Sequence, residues 1–110
     1  MTENNQFKKL EDLWNTIEER AANSSSENSY VSALLSKGIK ECAKKLGEEA
    51  VETSLAALSL NKDETIKESA DLLFHLLVLW RSAGLQPEEI MQELIKREPI
   101  SGLTEKKNRK

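Results

Sequence analysis

Two short acidic runs carry the chemistry legible in this chain: Gly47-Glu48-Glu49-Ala50-Val51-Glu52 and Glu68-Ser69-Ala70-Asp71. At 3.6 residues per helical turn, Glu49 and Glu52 fall within about 60° of each other, and the same spacing brings Glu68 and Asp71 together. Like charges so placed repel by roughly a few tenths of a kcal/mol when exposed, and by more in drier surroundings. Drier surroundings are expected. Glu68 and Asp71 project onto the face that carries Leu72, His75, Leu79 and Ser82, and Glu49 borders the stripe of Leu46 and Ala50. The carboxylates are thus expected to extend a buried stripe.

A buried carboxylate must be protonated, paired with a base or bound to a cation. Lys44 and Lys45 can neutralise one or two of these charges, not four or five. A hard divalent cation is the simplest remedy. Mg²⁺ takes oxygen ligands, retains waters and shares its shell with phosphates, and Mn²⁺ is a possible substitute. The plainer reading is a solvated helical face, the usual fate of an isolated E-x-x-E or E-x-x-D pair.

The elements that must position these acids read as helices. Phe7, Leu10, Leu13, Trp14 and Ile17 recur at three- and four-residue steps, predicting a helix over 6–22. Asn23 to Ser29 breaks it, with Ser29 placed to cap a short segment through Tyr30, Val31, Leu34 and Leu35 that Gly38 ends or kinks. Helical spacing resumes over 39–60. Asn61 and Glu64 match a capping box for a long helix over 62–83 with Gly84 as its stop. Pro87 suits the first position of a last helix, which Pro99 ends. Residues 1–100 form the expected single domain, and 101–110, with Lys106, Lys107, Arg109 and Lys110, an expected mobile polar tail. Leu72 to Trp80 is apolar on every side apart from His75, so other helices must wrap it. A chain this short has few to offer. The expectation is an all-α bundle of four to five helices, completed by dimerisation.

Composition narrows the function classes. Sixteen Lys+Arg against nineteen Asp+Glu give a net charge of −3 in 110 residues, which disfavours a strongly basic nucleic-acid-binding domain. Four glycines, two prolines and 5% aromatic residues argue against a turn-rich β-sandwich. A single cysteine, Cys42, excludes an internal disulfide framework and a cysteine-rich zinc site. Met1 to Lys9 has no apolar signal core, and no run approaches a membrane span, so a cytoplasmic protein is expected.

The combination of the two acidic runs resembles the EExxE…ExxD signature of the MazG-like all-α nucleoside triphosphate pyrophosphohydrolases. More narrowly, Ser29-Tyr30-Val31, Lys44-Lys45-Leu46-Gly47-Glu48-Glu49 and Ala70-Asp71-Leu72-Leu73-Phe74-His75-Leu76-Leu77-Val78-Leu79 resemble the phosphoribosyl-ATP pyrophosphohydrolases of histidine biosynthesis, over roughly residues 7 to 97. Phe74 stands where family members often carry Tyr, and Ala33 where some carry a basic residue. The resemblance implies a homodimeric hydrolase that cuts the α–β phosphoanhydride of phosphoribosyl-ATP, giving phosphoribosyl-AMP and pyrophosphate. Carried over by position, it makes Glu49, Glu52, Glu68 and Asp71 the Mg²⁺ ligands. Glu48 is a further ligand or the group that orients the attacking water, so Glu48, Glu49 and Glu52 form the catalytic set. Bound cations neutralise charge on phosphoryl oxygens, and without them an acidic pocket repels a polyanionic substrate.

The remaining candidates divide between function and packing. Lys37, Lys44 and Lys45 are placed to meet substrate phosphates, as is Lys40. Ordinary pairing, such as Lys45 with Glu49 one turn on, explains them as well. Ser29 and Tyr30 resemble the family's substrate side, but a cap and a packing aromatic also account for them. His75 is expected as a core histidine bonded to a neighbouring helix, or as a partner of the Asp71 carboxylate. Cys42, Trp14 and Trp80 are expected to pack. A di-iron bundle needs Glu-x-x-His pairs, whereas Leu72 precedes the only histidine by three residues. Two rivals stay open at this point: a housekeeping pyrophosphohydrolase for other nucleotides, and a non-catalytic helical dimer acting as an adaptor.

Overall fold

The structure, a computed structural model, describes residues 5–98; the expectations for the N-terminal residues before them, for Pro99 and for the tail lie outside this range. Five helices follow in order: α1 (Lys8–Asn23), α2 (Tyr30–Ser36), α3 (Ile39–Leu58), α4 (Lys62–Ser82) and α5 (Pro87–Arg97). No strand occurs among the described residues, so the fold is all-α as expected.

Local chemistry explains most of the boundaries. The Ser29 hydroxyl accepts from the Ser32 amide at 3.2 Å and starts α2. Gly38, at φ 92°, turns the chain between α2 and α3 in a conformation that few other residues adopt. Asn61 Oδ1 accepts from the Glu64 amide at 3.1 Å, forming the asparagine half of the expected box. A returning carboxylate bond forms instead at α5, where the Gln86 amide donates to Glu89 Oε1 at 2.8 Å.

Two helices end in the same way. At α4 the Gly84 amide donates to the Arg81 carbonyl and the Leu85 amide to the Trp80 carbonyl, with Gly84 at φ 76°. At α3 the Leu60 amide donates to Ala57 and the Asn61 amide to Ala56, with Leu60 at φ 59°. Helix α3 therefore stops at Leu58, not at Leu60, because a leucine occupies the left-handed position usually given to glycine.

The core is the meeting of α1 to α4: Trp14 and Ile17, Val31 and Leu34, Cys42, and Leu77 with Val78. Trp80 packs against its edge. Arg81 Nε reaches Glu18 Oε1 at 2.7 Å and ties α4 to α1. Helix α5 buries no residue. The apolar run on α4 is correspondingly not wrapped within one chain: Leu73 stays 41% exposed, while Leu77 and Val78 are buried.

Candidate functional site

The tightest helix pair is the hairpin of α3 and α4. Three residues join the two helices, so they run antiparallel and residues equidistant from Leu60 face each other. Glu49 and Asp71 lie eleven residues on either side of it. This register brings the two acidic runs together. One carboxylate oxygen from each of Glu49, Glu68 and Asp71 lies within 4.8 Å of the others. Glu52, on the same face of α3, borders Glu68 closely enough to act on its titration.

Burial is uneven across the group. Glu49 and Glu68 are half-buried, whereas Glu52 and Asp71 are exposed. The expectation of a wholly buried acidic stripe therefore holds for the two inner residues alone. Asp71 lies at the exposed rim of the cluster. Glu49 Oε1 and Glu68 Oε1 are both shut off from solvent and have no hydrogen-bond partner. Two carboxylates present only acceptors to one another, so they bond only if one holds a proton. At Glu68 this state is favoured: desolvation first, then the hydrogen bond to Glu49 and the charge of Glu52, push its pKa from 4.5 up to about 7.

A cation answers the same need. Oxygens on opposite sides of a single Mg²⁺ lie about 4.2 Å apart, so the three acids reach one ion after a side-chain shift of less than about 1 Å. The donor set is all oxygen, which suits Mg²⁺ or Mn²⁺. The residues present fit the ion.

The other candidates fall outside the cluster. Glu48 is exposed and pairs with Lys45, Nζ to Oε1 at 3.8 Å. That i,i+3 pair replaces the expected pairing of Lys45 with Glu49 and leaves the Glu49 charge uncompensated. Lys37, Lys40 and Lys44 are exposed, and among the described residues the clustered acids draw none of them into an ion pair. His75 is 7% exposed and is bonded through both nitrogens. Its Nδ1 lies 3.0 Å from the Asp71 carbonyl, which can only accept, so Nδ1 carries the proton. Nε2 then accepts from the Tyr30 hydroxyl at 3.2 Å. His75 thus touches Asp71 at the backbone rather than at the carboxylate, and bonds to α2 as a core histidine. The Tyr30 ring stacks on Phe74 at 5.9 Å. Cys42 is 1% exposed and packs, its Sγ 3.5 Å from the Leu34 carbonyl.

Thr53 escaped the sequence reading. Its hydroxyl donates to the Glu49 carbonyl at 2.7 Å and lies 3.1 Å from the Glu68 carbonyl across the hairpin. A threonine four residues after an acid is too common a pattern to have marked it.

The helical hairpin and its carboxylate cluster define an all-α protein that gathers acidic side chains from two helices, one oxygen from each of three acids within 4.8 Å of the others. The chain matches the phosphoribosyl-ATP pyrophosphohydrolase family over residues 10–98, and it belongs to that family. It is 50% identical over 101 residues to the phosphoribosyl-ATP pyrophosphatase 1 of Rhodopseudomonas palustris, covering 92% of this chain and 94% of that one. It is 47% identical over 100 residues to the phosphoribosyl-ATP pyrophosphatase of Paramagnetospirillum magneticum, covering 91% of each. The family resemblance drawn from the acidic runs is thereby established.

Proposed function

We propose that this chain is a Mg²⁺-dependent phosphoribosyl-ATP pyrophosphohydrolase of histidine biosynthesis, cleaving the α–β phosphoanhydride to phosphoribosyl-AMP and pyrophosphate. The observation that carries the reading is the pair of buried, unpartnered oxygens, Glu49 Oε1 and Glu68 Oε1, beside Asp71 on a scaffold of this family. Glu49, Glu68 and Asp71 hold the cation, with Glu52 as the fourth ligand on the open side. When bound, Mg²⁺ neutralises charge on the phosphoryl oxygens and acidifies a bound water. Glu48, exposed beside the cluster, orients the attacking water or adds a ligand. Its pairing with Lys45 keeps that lysine at the rim, where Lys45, Lys44 and Lys37 meet the outer phosphates.

The chain acts as a homodimer. Leu60, Ile66 and Leu73, 90%, 58% and 41% exposed, line an open apolar depression of about 620 Å³ on the α3–α4 hairpin. Helix α5 also exposes Met91, Leu94 and Ile95. Large apolar side chains grouped at the surface of the hairpin in this way are characteristic of an interface. Among the described residues no helix is long and apolar enough to cross a membrane, in keeping with a cytoplasmic enzyme acting on a small nucleotide. The reading is tested by pyrophosphate release from phosphoribosyl-ATP, ATP, dUTP and dCTP with and without Mg²⁺. Release from phosphoribosyl-ATP well above the others, and only with the cation, is expected. Release of single phosphate, or equal rates without Mg²⁺, overturns it.

A further inference from the structure

The Thr53 hydroxyl lies between the main chains of two acids. Oγ1 donates to the Glu49 carbonyl one turn back on α3 and faces the Glu68 carbonyl on α4, at 2.7 and 3.1 Å. A hydroxyl has one hydrogen, so the proton is shared between two acceptors, one on each helix. Each carbonyl is on the backbone of a residue that also buries an unpartnered carboxylate oxygen. The bond through Thr53 runs between main-chain carbonyls and uses no carboxyl group, so it does not depend on what the acids themselves bind. Apolar packing alone permits the helices to slide by fractions of an ångström, whereas a hydrogen bond, with its narrow range of length and angle, adds a fixed point to the register that the three-residue turn begins.

We infer that Thr53 is a positioning residue that fixes the spacing of Glu49 against Glu68 and thereby preorganises the carboxylate cluster for its cation; this rests on the functional reading above. Its hydroxyl touches neither cation nor substrate. Thr53→Val is nearly isosteric and keeps the β-branch, and both carbonyls retain their positions in the helical ladders, so the fold survives the change.

The test titrates Mn²⁺ alone into wild-type protein, Thr53→Val and Thr53→Ser, followed by electron paramagnetic resonance of the free ion. The Mg²⁺ concentration for half-maximal pyrophosphate release and the melting temperature are recorded beside it. Loss of a residue that orients metal ligands typically costs about 10–100-fold in affinity. Thr53→Val is expected to weaken Mn²⁺ binding by about tenfold and raise the Mg²⁺ requirement alongside it, with KM extrapolated to saturating Mg²⁺ near wild type. Thr53→Ser, which keeps the hydroxyl, restores both. Wild-type Mn²⁺ affinity in Thr53→Val overturns the inference. So does a loss that tracks melting temperature and that Thr53→Ser fails to rescue, which marks a purely structural role. If the wild type binds Mn²⁺ without hydrolysing phosphoribosyl-ATP, the substrate assignment fails while the Mn²⁺ comparison still decides the role of Thr53. If it binds no Mn²⁺, both fall.

Discussion

Glu49 on α3 and Glu68 on α4 each hold one carboxylate oxygen out of solvent with no hydrogen-bond partner, on helices bridged by the Thr53 hydroxyl. Two acids so arranged oppose folding whenever both are charged, and each needs a proton or a cation. The same arrangement that weakens the metal-free protein gives it affinity for a divalent ion.

Glu68→Gln should separate these two effects. The amide keeps the shape, removes the charge and can donate to Glu49. A higher melting temperature is expected for the metal-free variant, together with a loss of Mg²⁺-dependent pyrophosphate release exceeding about 100-fold, since even residues behind a metal ligand are worth about 10–100-fold. Differential scanning calorimetry and a pyrophosphate assay check the pair. A variant that melts lower and retains full turnover would show that Glu68 is an ordinary surface acid.

The pH dependence follows from the same group. The Glu68 pKa is 4.5 in the unfolded chain and about 7 when folded, so between these values the folded state binds the extra proton. Stability of the metal-free protein therefore falls as pH rises through this window, the opposite of a salt-bridged acid. The contribution is fully present below 4.5 and gone above about 7. Because other carboxyls also titrate, the diagnostic quantity is the difference between wild type and Glu68→Gln in urea melts from pH 5 to 8. The gap should widen towards pH 8 in favour of the variant and close when Mg²⁺ is added.

Much of this was open to sequence reasoning because it depends on local chemistry. Ser29 and Asn61 mark helix starts by their capping oxygens, Pro87 by its ring, and Gly84 marks a helix end by lacking the Cβ that opposes a positive φ; the structure places boundaries there. Leu60 carries no such signal. It adopts a left-handed turn at a cost of about 1–2 kcal/mol because the Asn61 cap and the hairpin demand it. The acids were recognisable by spacing within each helix. Their meeting across the hairpin depends on its register, to which a three-residue turn and Thr53 contribute. That is tertiary information, and it decided that Glu48 turns to Lys45 while Glu49 faces Glu68 and Asp71.

Stability should depend on apolar burial far more than on surface ion pairs. Ile17 is fully buried among Trp14, Leu34 and Val78, and Ile17→Ala should cost about 3 kcal/mol in chemical denaturation. Glu18→Gln removes the charge from the 2.7 Å contact with Arg81 and leaves an acceptor oxygen, and both side chains are more than a third exposed, so the loss should stay below about 1 kcal/mol. Equal costs would mean that α1 is held by charge.

Leu73→Glu puts a charge into the exposed apolar surface of α4 without touching the buried Leu77 and Val78. Sedimentation velocity should show a dimer for the wild type and a monomer of unchanged helical content for the variant. A wild type that sediments as a monomer at micromolar concentration would leave the exposed face of α4 without the proposed partner.

Isothermal titration of Mg²⁺ into the metal-free wild type, Glu49→Gln and Glu68→Gln addresses the carboxylate cluster most directly. Saturable binding is expected in the wild type, with proton release near pH 6.5 detected as a dependence of the heat on buffer ionisation, and binding should be lost in both variants. Binding of equal strength in all three proteins, or none in the wild type, would contradict the assignment of Glu49 and Glu68 as the residues that hold the cation.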